Sequence, residues 1–502
     1  MISLRRLASN SFLRVVDVAV QVLATLWLTP LLIQQLGVAR YGLWVTVLTL
    51  VSYLDIFDLG LTSAVTRYVS RALGRDDLDA ARETVRSAFT ILLRIALGCL
   101  ALVALLAAAV PWIMPDSAQA GPVRAIVVIL GITAALSFPM RVFTGVLEAF
   151  VRYECTTAAS IIRTVLTTGA LVWVLHTGGD MIRVVLVVAA GGLLHRALNY
   201  FFARQIFPAM RLLPLGTTAA ARAELLSYGG KNFLMKLVDL VRFRIDNLLI
   251  ARFAGIGQVA LYAPGMALIR YYREVIDSLG GVMMPVFSRA EGAGDRDKLR
   301  AHLVRANRLC AAVAMFIGGS IVLYGGLFIE RWLGPGFRDS YRVTLILAGP
   351  FIVAMAQNPG IYMLYGLSKQ ERLLRLNVIE AVANFALSLA LVFRYGIFGV
   401  AAGTAISLLI TKTLLQPAIM CDETGLARRT YYLDALLLPL ALTAAPMLAC
   451  YAALSGWVRP DYWRLTVAIA AQALVVAPVV WWVLFGKAER ASLSGIFFRK
   501  TA

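Results

Sequence analysis

The stretch 91-ILLRIALGCLALVALLAAAV-110 carries a single charge, Arg94, in twenty residues. At a rise of about 1.5 Å per residue, a helix of that length covers about 30 Å, the thickness of a bilayer's hydrocarbon core. Lipid offers no partner to a backbone N–H or C=O, so such a run must be helical to satisfy its own polar groups. Reading outward, comparable runs recur from Val15 to Phe485. Spans are expected near 12–33, 43–65, 87–110, 124–147, 157–175 and 181–202, then near 225–253, 259–287, 305–329, 342–365, 373–393, 398–420, 434–455 and 464–485. The expected fold class is therefore an all-α polytopic membrane protein of about 14 transmembrane helices. Composition agrees: 60% of the 502 residues are hydrophobic and 15% charged, with a mean hydropathy of +0.78, well above ordinary soluble usage.

A net charge of +20 would suggest nucleic acid in a soluble chain, but here it is first a topology signal. The loops Arg67–Arg86 and Arg289–Arg305 each hold five basic residues. Placing both on the cytoplasmic side puts both termini there, predicts an inner-membrane location and leaves no case for nucleic acid. Arg5 and Arg6 precede an apolar stretch that contains Arg14 and Asp17 and lacks a cleavage site, so a retained first helix is expected. Cys99, Cys155, Cys310, Cys421 and Cys450 are too scattered for a disulfide framework. His176, His195 and His302 have no thiol or carboxylate at ligand spacing, so no metal and no cofactor is expected.

The two basic loops also reveal a repeat. SRALGRDDLDAARETVRSA from Ser70 resembles SRAEGAGDRDKLRAHLVRAN from Ser288, and LGVARYGLW from Leu36 resembles AGIGQVALY from Ala254. Six spans separate the copies, which makes the repeat parallel, about an axis along the membrane normal. Two pseudo-symmetric six-helix lobes are expected, 1–224 and 225–430, followed by an added transmembrane hairpin and cytoplasmic tail over 431–502.

LGVARYGLWVTVLTLVSYLDIFDLGLTSAVTRYVSRALGRDD, Leu36 to Asp77, resembles the amino-terminal signature of the polysaccharide-transporter family of the MOP superfamily. That resemblance implies two six-helix lobes with two further helices. It also implies Wzx-type flipping of undecaprenyl-diphosphate-linked O-antigen or exopolysaccharide units, while the parallel repeat, with charge gathered where its second half begins, leads to the expectation of alternating access. The implied partners are the lipid-linked oligosaccharide, membrane lipids and, as a further candidate, polysaccharide polymerase machinery. The family offers no short catalytic motif to carry over, so no catalytic residue is assigned.

Candidate sites follow instead from buried charge, which costs about 2.5–3.5 kcal/mol per group on insertion scales. The seventh span holds Lys231, Lys236, Asp239, Arg242, Arg244 and Asp246; of these Lys236, Asp239, Arg242 and Asp246 fall within an arc of about 120° at helical pitch. Arg270, Arg273, Glu274 and Asp277 form one face of the eighth. Guanidinium and ammonium groups suit phosphate oxygens, so Lys236, Arg242, Arg270 and Arg273 are the candidate diphosphate-binding residues. Asp239, Asp246, Glu274 and Asp277 are the ion-coupling candidates. The competing reading has Arg242 with Asp246 and Arg273 with Asp277 as intrahelical pairs that only neutralise each other.

Weaker signals surround these. Asp55 with Asp58, and Asp17 with Gln21, suit a proton or cation site in the first lobe, or else helix capping and interhelical bonds. Asn377, Glu380 and Asn384 form a stripe that either faces a lumen or bonds a neighbouring helix. Pro350, Pro359 and Gly360 beside Gln357 and Asn358 mark a functional bend or a static kink, and Gly399 with Gly403 predicts close helix packing. Gly255, Gly257 and Ala260 mimic a dinucleotide motif, but no strand precedes them. An enzyme is disfavoured because the outside connections, near Pro111 and Arg331, are short. The alternative kept open is an ion-coupled multidrug or cation antiporter of the same superfamily.

Overall fold

A computed structural model describes residues 4–484 apart from 114–116, 211, 213–214 and 281–282. The expected tail beyond 484 and part of the outside connection after Pro111 lie outside the described residues. So do the side chains of Arg14, Asp55 and Lys231. Helices account for every regular element among the described residues. The chain divides into two compact units, Met1–Arg244 and Ile245–Ala502.

The first unit runs α1 (Leu4–Leu36), α2 (Val38–Leu54), a 3-10 turn (Asp55–Asp58), α3 (Leu61–Leu73), α4 (Leu78–Ile113), α5 (Ser117–Ala149), α6 (Tyr153–His176) and α7 (Met181–Ile206). Helix α8 (Ala219–Phe253) begins in it and crosses the boundary. A Cβ at Gly229 would overlap the Leu59 carbonyl, so the first half of α8 packs tightly on the break before α3. The core of this unit packs Leu61, Val65 and Val69 of α3 against Val85 and Leu92 of α4 and Phe138, Val142 and Phe143 of α5. Large side chains such as Leu23, Trp27, Leu105 and Trp173 stay exposed, which suits a lipid-facing surface.

The second unit continues with α9 (Ile256–Gly280), α10 (Met284–Gly292), α11 (Arg296–Leu333), α12 (Arg338–Ala356), α13 (Asn358–Gly366) and α14 (Gln370–Ile410). A π-helical turn (Thr411–Leu415), α15 (Gln416–Thr424), α16 (Arg428–Tyr432), α17 (Leu438–Leu454) and α18 (Tyr462–Val479) complete it. Helices α17 and α18 pack on each other and on α11, around Tyr324, Tyr451, Leu465 and Ala468.

The sequence repeat has a structural counterpart in each unit at one constant offset. Gly37 and Gly255 both turn with positive φ, as do Asp76 and Gly294. Asp77 accepts from the Ala80 N–H at 2.9 Å to start α4, and Asp295 accepts from the Lys298 N–H at 2.9 Å to start α11. One turn later Arg82 pairs with Asp79 at 2.6 Å and Arg300 with Asp297 at 3.1 Å. The similarity of the two loops thus encodes one capped helix start used twice.

Ten helices are long and apolar enough to cross a membrane among the described residues. One of them, 370–424, is 55 residues long, about 80 Å if straight, far beyond one bilayer. It is not straight. Gly396 (φ 55°, ψ −130°) reverses the chain, and the Ser388 hydroxyl donates to the Val400 carbonyl at 3.2 Å. The Gly399–Gly403 motif lies at this contact: a Cβ at Gly403 would come within 2.5 Å of the Ser388 nitrogen. Gly403→Val is therefore expected to destabilise the protein by about 1–3 kcal/mol, read as a lower melting temperature in detergent, whereas Gly98→Val, where a Cβ meets nothing within 4 Å, should change little.

Candidate functional site

In the first unit the candidate residues of α8 form two separate pairs. Lys236 Nζ donates to Asp58 Oδ2 at 2.6 Å, and Arg242 Nη1 donates to Asp239 Oδ1 at 3.2 Å. The Arg242 guanidinium also stacks on Phe243, 4.6 Å from the ring centre. Asp58 ends the 3-10 turn, is buried, and accepts a second bond from the Thr62 hydroxyl at 2.7 Å. Of the roles open to Asp58 from sequence, the geometry gives the bond to a neighbouring helix. Asp17 and Gln21 do not join it; Gln21 reaches Ser160 on α6 at 3.4 Å.

In the second unit Asp246 is 2% exposed, with the Tyr262 hydroxyl donating to Oδ2 at 2.6 Å and the Thr404 hydroxyl 3.0 Å from the same oxygen. Thr404 lies equally close, 3.0 Å, to Asn384 Oδ1. Asp246 Oδ1 is buried with no hydrogen-bond partner among the described residues. Neither Tyr262 nor Thr404 stood out in the sequence, because a hydroxyl in an apolar run carries no charge signal.

On α9, Arg270 and Glu274 approach to 4.0 Å and Arg273 and Asp277 to 3.9 Å, so both i,i+4 pairs exist but are long for a charge-assisted bond. The Arg270 side chain is 51% exposed and lies over Tyr271, 5.0 Å from its ring centre. Asp277 Oδ1 accepts from Asn358 Nδ2 at 2.6 Å, and its carbonyl from the Tyr362 hydroxyl at 3.0 Å. Asn358 stands at the break between α12 and α13, which ties the charged face of α9 to that break.

The break itself is clasped. Gln357, fully buried, donates to the carbonyls of Val353 (3.0 Å) and Lys412 (2.8 Å) and accepts from Tyr431 at 3.0 Å. Gln416 donates back to the Gln357 carbonyl at 3.2 Å. Two helix irregularities, the α12–α13 break and the π turn, thus satisfy one another's backbone groups. Beside them Lys412 and Glu380 form a buried ion pair at 3.3 Å, with Thr411 donating to Glu380 at 3.0 Å and Lys412 to Gln416 at 2.9 Å. The stripe Asn377, Glu380 and Asn384 is buried, with Glu380 and Asn384 accepting from Thr411 and Thr404 beyond the Gly396 reversal. Lys412 did not stand out in the sequence; a lone lysine in ISLLITKTLLQPAI is the signal that could have found it. No group of three or more His, Cys, Asp or Glu side chains suits a metal among the described residues.

The fold defines a multi-pass α-helical membrane protein in which each unit holds an ion pair with a buried carboxylate. It is similar in structure to the lipid II flippase MurJ in its inward closed conformation, with a TM-score of 0.69 and 12% identity over 98% of this chain and 99% of that one. It is also similar to an inward-facing multidrug resistance MATE family transporter of the MOP superfamily, with a TM-score of 0.64 and 14% identity over 82% and 94%. By sequence it is 22% identical to the uncharacterized membrane protein EpsK of Bacillus subtilis (strain 168), over 96% of this chain and 95% of that protein. It is 21% identical to a Shigella flexneri protein provisionally named an O-antigen transporter, over 76% and 90%. Residues 32–342, more than half of the chain, match the family described as polysaccharide biosynthesis protein, and the chain belongs to that family.

Proposed function

We propose that this protein is a flippase that moves a polyprenyl-diphosphate-linked oligosaccharide across the bacterial inner membrane by alternating access, for the assembly of a surface polysaccharide. The observation that carries the reading is Arg270. Its guanidinium is half exposed on α9, 4.0 Å from the Glu274 carboxylate, so it keeps donors to offer an anion. Arg273, Lys236 and Arg242 supply further positive charge on α8 and α9. The O-antigen named for the Shigella flexneri relative and the lipid II named for MurJ support a lipid-linked polysaccharide precursor as the cargo. No residue is assigned to bond-making chemistry, and the protein is proposed not to be an enzyme.

The spans proposed are about fourteen, the ten apolar helices plus α2, α8, α9 and the second arm of the folded α14. Both termini are proposed to face the cytoplasm with the basic starts of α4 and α11. The proposed lobes remain 1–224 and 225–430 with a hairpin and tail over 431–502. Polysaccharide polymerase machinery is a further proposed partner.

For coupling, the proposed group is Asp246, with Asp239, Glu274 and Asp277 as less isolated candidates. Its unpaired oxygen can take a proton or a monovalent cation, and a hydroxyl shared with Asn384 can donate to either acceptor as that charge changes. The test is transport of a polyprenyl-diphosphate-linked oligosaccharide in proteoliposomes with imposed proton or sodium gradients. Gradient-stimulated transport that becomes gradient-indifferent in Asp246→Asn is the expected result. Transport of organic cations in place of the lipid-linked sugar would favour the antiporter.

A further inference from the structure

Asp58 is an unusual partner for a residue proposed to bind substrate. Its side chain is 1% exposed, whereas the Lys236 side chain above it is 45% exposed. One Lys236 N–H is used on Asp58 at 2.6 Å, and the ammonium group has two more. The Thr62 hydroxyl holds the other Asp58 oxygen at 2.7 Å. A buried anion is thus held by a hydroxyl and by a half-exposed lysine that covers it.

The backbone beneath this anion is strained. Asp58 ends a 3-10 turn, Leu59 follows with φ +48° and Gly60 with φ +70°. A leucine keeps such a conformation only where surrounding contacts hold it. Here those contacts come from α8: Gly229 packs against the Leu59 carbonyl so closely that no Cβ would fit, and Lys236, two turns along, holds Asp58. The two contacts fasten α8 to the break between α2 and α3.

We propose that Asp58 is the resident anion of the substrate site: it occupies Lys236 when no diphosphate is bound, and a diphosphate-bearing lipid displaces it and unfastens α8 from the α2–α3 break. This rests on the reading of Lys236 as a diphosphate-binding residue. A diphosphate offers two or more negative charges and several acceptor oxygens against one carboxylate, so it wins the exposed ammonium group. Asp58 is then left buried without its lysine, an arrangement that is strongly unfavourable and drives the strained turn to relax. The pair therefore reports occupancy to the backbone at the place where, among the described residues of this unit, two successive left-handed residues precede a helix.

The test uses the full-length protein in lipid nanodiscs with farnesyl diphosphate as the probe. Removing the competitor in Asp58→Asn is expected to tighten binding about fivefold or more, while Lys236→Met weakens it; a merely structural aspartate would not improve affinity when lost. In the unaltered protein, peptides covering 55–66 are expected to exchange amide hydrogens faster when the probe is added, a measurement that needs no variant to fold. Equal or weaker binding by Asp58→Asn, or exchange that is unchanged or slowed, overturns the latch alone. A probe that binds neither form overturns the latch together with the diphosphate reading on which it rests.

Discussion

Lys412→Met is expected to lower the unfolding free energy of the protein by about 3–5 kcal/mol, because it leaves the Glu380 carboxylate buried without its cation. The pair is close, 3.3 Å, and both side chains are 4% exposed, so solvent does little to screen the loss. Glu380 keeps the Thr411 hydroxyl at 3.0 Å, but a hydroxyl does not replace a charge. Lys412 also donates to Gln416, which bonds the carbonyl at the α12–α13 break, so the defect should spread to that break. The check is a double-mutant cycle by thermal or denaturant unfolding in detergent. The Glu380→Gln, Lys412→Met double variant, with no charge left to strand, should be more stable than the sum of the single changes implies.

Arg270→Ala combined with Arg273→Ala is expected to reduce lipid-linked oligosaccharide transport at least about tenfold, the equivalent of about 1.4 kcal/mol or more of lost interaction, with the protein still inserted and folded. Folding should survive because both ion pairs on this face are long, 4.0 and 3.9 Å, and Asp277 keeps its bond from Asn358 at 2.6 Å. Lysine at either position should restore only part of the transport, since an ammonium group cannot present the two parallel N–H groups of a guanidinium. Full transport by the double alanine variant would remove these residues from the substrate site.

These two expectations draw on signals of different legibility. The face Arg270, Arg273, Glu274 and Asp277 was readable because charge at i, i+3, i+4 and i+7 in an apolar run marks one polar side of a helix. The repeated loops were readable because the aspartates that cap α4 and α11 and the arginines one turn on are the same residue types in both copies. Partners were not readable. Periodicity places Lys236, Asp239, Arg242 and Asp246 on one face of α8, yet Lys236 turns to Asp58, Arg242 to Asp239, and Asp246 to two hydroxyls from distant segments. Such choices depend on which helices pack together, and that information lies in side-chain volumes such as the absent Cβ of Gly229, not in a stripe of charges. Lys412 escaped notice for a related reason, being a single charge with its acid thirty-two positions earlier in the chain.

The most direct test of the central claim is the leaflet distribution of polyprenyl-diphosphate-linked oligosaccharide in cells depleted of this protein, read with a membrane-impermeant reagent that modifies only the sugar exposed outside the inner membrane. The account predicts that the lipid-linked sugar accumulates unmodified, on the cytoplasmic leaflet, and that restoring the protein but not the Arg270→Ala, Arg273→Ala variant returns it to the outer leaflet. A leaflet distribution unchanged by depletion would contradict it.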